Sequence, residues 1–379
     1  MDILSIIYII LIWLVGLKIA HNTSRRIKNP IAYLVFFEHL SFSYFYYLFT
    51  QNGTADANGY FNRAIRNDFF LESFGVGTDF IDFIATIPIK YLHFSLPAAH
   101  QLFGLLGFIG FTYLLRMLNN KKFYFFGIPV IYIVVLLPGF HFWTCALGKD
   151  SLFFMALMMF FYSLMHIKGN VLKLIFGLII ISLIRPHIGL TMITAISLTL
   201  ILRKPKSFSF AHFFLIIIVG IIFALSLPFV MEYVGIEEIS SESIEKKIEI
   251  FNNEGARDSG ITSNIDVSDY SLPMKMFSYL FRPLFYDAKS VFQLIASIEN
   301  LFLLLIFGKL TKRVPFYFIK WFRQLSDIHK IMFFYVLLSW LLLSINMYNL
   351  GLASRQKFMI IPVIFLLFLS NIKRNQLKK

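Results

Sequence analysis

Five separated stretches of this sequence set charged or proton-transferring side chains beside long apolar runs. The first, Thr54-Ala55-Asp56-Ala57-Asn58-Gly59-Tyr60-Phe61, offers a carboxylate just beyond an apolar segment, with Tyr60 four residues on. Such an acid suits a general base that takes a proton from a hydroxyl held at an interface. The second, Gly148-Lys149-Asp150-Ser151, opens an apolar segment. A lysine there opposes the helix dipole, whereas an anion gripped by the lysine and the helix N-terminus would suit it. The third, Leu183-Ile184-Arg185-Pro186-His187-Ile188-Gly189, holds Arg185 and His187 between two apolar runs with almost no loop. Charges that cannot reach far into water are costly and are usually paired or functional. The fourth is Phe281-Arg282-Pro283-Leu284-Phe285-Tyr286-Asp287, and the fifth is Ser354-Arg355-Gln356-Lys357. Guanidinium forks bind phosphate oxygens bidentately. One acid with several separated basic residues therefore suits transfer from a phosphate or diphosphate leaving group.

Each stretch also has an ordinary reading. Asp56 is equally a solvated loop acid, and Asp150 a helix cap. Arg185, Arg355 and Lys357 can snorkel to lipid headgroups. Glu38 and His39 in one apolar run, and Glu299 in another, fit structural intramembrane pairs. What favours a site is that Asp56, Lys149, Asp150, Arg185, His187, Arg282, Arg355 and Lys357 all fall on one expected side of a membrane.

The elements that must position them are membrane helices. The chain has 379 residues, is 58% hydrophobic and carries 46 Phe with only 15% charged residues. That excludes an ordinary soluble domain. Apolar runs near the length needed to cross the hydrocarbon core recur along it, and the ten-residue alternation of a membrane β-barrel does not. Hydropathy predicts about eleven spans: 3–20, 31–49, 97–116, 123–143, 151–167, 171–184, 188–202, 211–230, 290–308, 330–347 and 356–371. The expected class is an all-α polytopic membrane protein, a single transmembrane domain over 1–379. Its N-terminus is expected outside and its C-terminus in the cytoplasm, with a first outer loop at 50–95 and a long outer loop at 231–288.

A net charge of +14 is also met in nucleic-acid-binding proteins. Most lysines and arginines instead fall in the expected cytoplasmic loops, where Asp327 is the one acid, so the charge reads as a topology signal. Before Lys18 there is no basic residue, which argues against a cleavable signal. Cys145 is the one cysteine, so no disulfide framework exists. Asn52-Gly53-Thr54 matches a glycosylation sequon, and the Ile/Lys/Asn/Phe-rich composition has a bacterial character that would make it irrelevant. In the long outer loop, seven glutamates precede Gly255, and Ile244, Ile248 and Phe251 recur at helical spacing after Ser240 and Ser241. This predicts a short amphipathic helix, followed by a mobile Gly/Ser/Asn/Asp-rich stretch over 252–270. No internal repeat is evident, which weighs against an inverted-repeat transporter.

With these stretches in place, the chain resembles membrane-embedded glycosyltransferases of the GT-C kind, and more narrowly polysaccharide polymerases of the Wzy and EpsG type. The likeness is one of architecture with short motifs. It implies transfer at the outer face of a bacterial cytoplasmic (inner) membrane, from a sugar on polyprenyl phosphate or diphosphate. The expected activity is polymerisation of lipid-linked repeat units of a surface polysaccharide. The alternatives are addition of one sugar from a polyprenyl-phosphate donor, or a lipid-linked oligosaccharide flippase or transporter. Carried over residue by residue, Asp56 would be the base, with Arg185 and His187 in the catalytic set. Lys149, Asp150, Arg282, Arg355, Lys357 and Tyr60 would bind substrate. Asp56-Ala57-Asn58 carries Asn where a metal-binding pair would carry a second acid, so no metal is assigned. The implied partners are the lipid-linked glycan, membrane lipids and other polysaccharide-assembly proteins, with no nucleic acid.

Overall fold

Proline and short polar residues mark where the helices of this chain begin. The computed structural model describes residues 2–51, 55–66, 74–119, 123–203, 270–312, 317–347 and 349–371, with single positions at 220, 228 and 267. The predicted span 211–230, the amphipathic helix, the sequon and most of the 252–270 loop lie outside these. The described residues are almost entirely helical and fall into two compact units, 1–186 and 187–379.

In the N-terminal unit, α1 (Ile3–Ile27) starts where the Asp2 carboxylate accepts from the Ser5 N–H at 3.0 Å. It ends at Lys28, which adopts the left-handed conformation at φ 53°. α2 (Ile31–Thr50), α3 (Asp56–Arg66) and α4 (Thr78–Thr86) follow, then a π-helical turn over Ile87–Tyr91. α5 (Leu96–Leu118) opens on Ser95-Leu96-Pro97. A two-residue hairpin, β1 (Tyr124–Phe125) and β2 (Ile128–Pro129), turns through Phe126 and Gly127, both at positive φ. α6 (Val130–Val135), α7 (Pro138–Thr144), α8 (Lys149–Met165) and α9 (Val171–Ile184) complete the unit.

α5 is its central post. Gly104, Gly107 and Gly110 recur every third residue, so they share one face. A β-carbon on Gly107 would lie 2.0 Å from the Thr144 carbonyl oxygen and 2.6 Å from His39 Nε2. One on Gly104 would lie 2.9 Å from the Cys145 carbonyl oxygen, and one on Gly110 would lie 2.7 Å from Phe154. The missing side chains are what allow α2, α7 and α8 to approach α5.

The C-terminal unit contains α10 (Pro186–Ile201), α11 (Leu272–Phe281), α12 (Val291–Thr311), α13 (Phe318–Gln324), α14 (Asp327–Ile345), α15 (Leu350–Gln356) and α16 (Ile361–Asn371). α14 is tied to its neighbours by hydrogen bonds. Trp340 Nε1 donates to the Met276 carbonyl at 2.9 Å, and the Tyr335 hydroxyl donates to the Met359 carbonyl at 3.1 Å.

Among the described residues, four helices are long and apolar enough to cross a membrane: Ile3–Ile27, Leu96–Leu118, Val291–Thr311 and Asp327–Ile345. Counting a helix pair bent by 43° at Ile360 as one span makes five. These match the predicted spans 3–20, 97–116, 290–308, 330–347 and 356–371, and they support a multi-pass membrane protein. The other predicted spans within the described residues are shorter or more polar. α2 has the length, but Glu38, His39 and its tyrosines lower its hydropathy. The run predicted as one span over 123–143 is a hairpin followed by two short helices, parted before Pro138, whose ring disfavours helix in the residue ahead of it. The 50–95 segment, predicted to be loop and partly amphipathic, carries the two short helices α3 and α4.

Candidate functional site

The structure brings several of the sequence-predicted residues together, Tyr60 against Gly148 and Asp150 with Arg185 in the N-terminal unit and Arg282 with Lys357 in the C-terminal unit. In the N-terminal unit, α3 begins at Asp56, which is exposed, and Tyr60 lies one turn further along the same face. Tyr60 is buried and its ring packs on Gly148, where a β-carbon would meet Tyr60 Cε2 at 3.6 Å. Gly148 sits at φ 154°, a backbone region that favours glycine, and forms the N-cap of α8. Lys149 and Asp150 follow it directly. The N-cap is Gly148, which has no side chain to cap with, and Asp150 lies in the first turn of α8, where an acid suits the helix dipole. The Asp150 carboxylate accepts from Arg185 Nη2 at 2.7 Å.

Arg185 is the single residue between α9 and α10, and Pro186 at the first turn of α10 prevents the first helix from running through. Its guanidinium carbon lies 5.8 Å from the Phe153 ring centroid. Both Arg185 and Asp150 are buried, and Arg185 Nε has no hydrogen-bond partner. The arginine therefore keeps a free donor beside its carboxylate. The snorkelling alternative does not describe it.

Two residues of this cluster were not singled out in the sequence. Arg63 Nε donates to Asp82 Oδ2 at 2.7 Å, and the Arg63 guanidinium carbon lies 5.0 Å from the Tyr60 ring centroid. Burial raises the Asp82 carboxyl above its ordinary range, outweighing the opposing pull of Arg63. Lys149 lies within electrostatic reach of Asp82. The Gly77 N–H donates to the Leu183 carbonyl at 2.7 Å, which pins the start of α4 beside Arg185. No local pattern announces the Arg63–Asp82 pair, since its members lie on different helices.

In the same unit, Glu38 and His39 of α2 both meet His141, as a structural pair requires. His39 Nδ1 and His141 Nδ1 are 2.8 Å apart, His141 Nε2 lies 2.8 Å from the Val135 carbonyl, and Glu38 is 3.5 Å from that nitrogen.

In the C-terminal unit, Arg282 is spoken for. Its Nε and Nη2 donate to the two Asp287 oxygens at 2.9 and 2.5 Å, and its Nη1 donates to the Tyr270 hydroxyl at 3.0 Å. The Asp287 hydrogen bond, helped by that of Tyr270, holds the guanidinium in its charged form against the cost of burial. Burial works to raise the Asp287 carboxyl, but Arg282 and the Leu284 N–H together hold it below its ordinary value. The fork that would have gripped a phosphate thus braces its own loop.

Lys357 differs. It lies in the 3₁₀ turn between α15 and α16, buried, and donates to the Arg282 carbonyl at 2.7 Å and to Asn300 Oδ1 at 2.6 Å. Asn300 is itself oriented by donating to the Pro283 carbonyl at 2.8 Å. Both acceptors of Lys357 are neutral, and Glu299 attracts it only from longer range. Lys275, on α11, is buried with no side-chain hydrogen bond or ion pair among the described residues. Arg355 is half-buried, one turn before the break in its helix, and His187 is half-buried in the first turn of α10.

No three metal-ligating side chains converge among the described residues. The roles of Asn300 and Lys275 are not legible in the sequence, because an Asn or Lys in an apolar helix shows its partner only once the fold is known, and the pairing of Asp287 with Arg282 is likewise visible only in the fold. Comparison with known protein families, with curated proteins and with solved structures finds no match for this chain.

Proposed function

We propose that this chain is a membrane-embedded glycosyltransferase that uses a polyprenyl-phosphate- or diphosphate-linked sugar at the outer face of a bacterial cytoplasmic membrane. The favoured form polymerises the repeat units of a surface polysaccharide. The observation that carries the reading is the assembly of Asp56, Tyr60, Lys149, Asp150 and Arg185 from three separate stretches around Gly148. It sets the helix that opens on the exposed Asp56 beside a lysine and a buried arginine–carboxylate pair.

In this mechanism Asp56 accepts the proton of the acceptor hydroxyl as that oxygen attacks the anomeric carbon. The bond from the anomeric carbon to the phosphate oxygen breaks. The departing phosphate gathers negative charge, which Lys149 and the free edge of Arg185 offset, and such preorganised electrostatics dominates transfer chemistry. Asp150 holds Arg185 in place. Tyr60 and Arg63 line the same end of the unit. Of the C-terminal residues, Lys357 and Lys275 suit a phosphate, being buried cations with no carboxylate at ion-pair distance among the described residues, whereas Arg282 serves as a brace. The proposed topology keeps about eleven spans, with the N-terminus outside and the C-terminus in the cytoplasm.

The test is turnover of a lipid-linked repeat unit by the purified chain in proteoliposomes. Wild-type protein is expected to lengthen the glycan. Asp56→Asn is expected to lower the rate by about 10²- to 10⁴-fold, the usual contribution of a positioned general base. Unchanged turnover in Asp56→Asn would remove the base from the mechanism.

A further inference from the structure

We propose that the end of the N-terminal unit where α1 and α5 finish is a binding site for a phosphate-bearing anion, held between Arg26 and Arg116. The proposal is independent of sugar transfer and uses residues outside the cluster around Gly148. Thr23 and Arg26 are three residues apart on the last turns of α1, and Tyr113 and Arg116 are three apart on the last turns of α5, so each pair shares a helix face. Arg116 Nη2 donates to the Thr23 hydroxyl at 3.0 Å, which joins the two faces. Arg26 Nη2 donates to the Tyr162 hydroxyl of α8, also at 3.0 Å. The Tyr113 and Tyr162 rings lie 5.1 Å apart, and the Arg116 guanidinium carbon is 5.8 Å from the Tyr113 ring centroid.

Thr23 and Tyr162 thereby anchor two guanidiniums at this end of the unit, beside the Tyr113 and Tyr162 rings. Their acceptors are neutral hydroxyls, and Arg116 Nε is buried with no hydrogen-bond partner. Residues 18–33, 113–132 and 160–172, the stretches that carry these groups, contain neither Asp nor Glu. Gathering like charges at one end of the unit, one of them partly desolvated, is unfavourable unless an anion joins them. A phosphate matches both forks and can accept from each at once. Arg26 is exposed, so the site opens outward. A general preference for positive charge at this membrane edge accounts for Arg25 and Lys28, which are exposed. It does not account for Arg116 turning inward onto Thr23. The position at the ends of two membrane-crossing helices, with Tyr113 and Tyr162 alongside, suits the headgroup of an anionic phospholipid, and a free phosphate shares its chemistry.

The full chain in nanodiscs of phosphatidylcholine containing a minority of phosphatidylglycerol tests this by native mass spectrometry of the retained lipid. Wild-type protein is expected to retain phosphatidylglycerol above its bulk share. Arg26→Gln/Arg116→Gln is expected to lose about tenfold in relative retention, as for the loss of paired charge-assisted bonds. Arg25→Gln/Lys28→Gln, at exposed positions of the same end, is expected to behave as wild type. If the double arginine variant fails to fold, Arg26→Gln alone is expected to reduce retention several-fold. Displacement of the lipid by inorganic phosphate would identify the phosphate group alone as the ligand, and resistance to it would identify the lipid headgroup. No enrichment by wild-type protein, or an equal loss in Arg25→Gln/Lys28→Gln, would overturn the site in favour of diffuse surface charge.

Discussion

At the scale of residues, the chain treats its buried charges in two ways. Arg185 with Asp150, and Arg282 with Asp287, are matched arginine–carboxylate pairs, whereas Lys357 and Lys275 have no carboxylate partner among the described residues. Removing one member of a buried pair leaves the other uncompensated, which costs about 3–5 kcal/mol. Arg185→Ala is therefore expected to lower stability in detergent by about that much, measured by chemical unfolding. Asp150→Asn/Arg185→Gln should cost clearly less, because no lone charge remains, and equal losses would show that the pair is not coupled. Asp287 gives a pH signature. Its folded carboxyl titrates below the unfolded value of about 4, so its contribution is complete above that value and is lost as pH falls through the folded one. Unfolding curves across pH 2–7 should show this acid loss in the wild type and a flatter acid limb in Asp287→Asn. The sequence made Arg185 and Asp150 visible separately, as charges where apolar residues were expected. Their pairing over 35 positions was not legible, since nothing local encodes it.

At the scale of elements, apolar runs located most helices to within a few residues, and departures have identifiable causes. α1 runs on to Ile27 through polar residues because helix propensity and the left-handed cap at Lys28, not apolarity, decide where it ends. The break at Ile360 lies two residues before Pro362, whose ring and missing N–H stop a helix from running through, although the span predicted over 356–371 treats it as one run; the Tyr335 hydroxyl satisfies the Met359 carbonyl there. α3 and α4 were legible only as partly amphipathic sequence, since their polar faces dilute the hydropathy that marks spans. The glycine face of α5 likewise acquires meaning from what lies against it. Gly107→Ala is expected to cost about 1–3 kcal/mol, the usual penalty of overpacking, because the intruding β-carbon meets backbone rather than a yielding side-chain tip. Thermal unfolding of the purified variant measures this, and wild-type behaviour would mean that α5 and α7 can part without penalty.

At the scale of the whole molecule, the composition and recurring apolar runs are those of a helical multi-pass membrane protein, and among the described residues four to five helices are long and apolar enough to cross a membrane. The proposed orientation is checked by cysteine labelling of intact cells. A Cys145→Ser background with a new cysteine at Asn62, on the exposed face of α3, should react with a membrane-impermeant reagent, whereas one at Lys168 should not. The central claim is that the Asp56–Arg185 cluster transfers a lipid-linked sugar, and the most direct test is the lipid-linked glycan profile of cells whose only copy of the chain carries Asp56→Asn, run beside the surface polysaccharide of wild-type cells. Accumulation of single repeat units without long chains is the expected result; a glycan profile identical to wild type, with the variant present in the membrane at normal level, would contradict it.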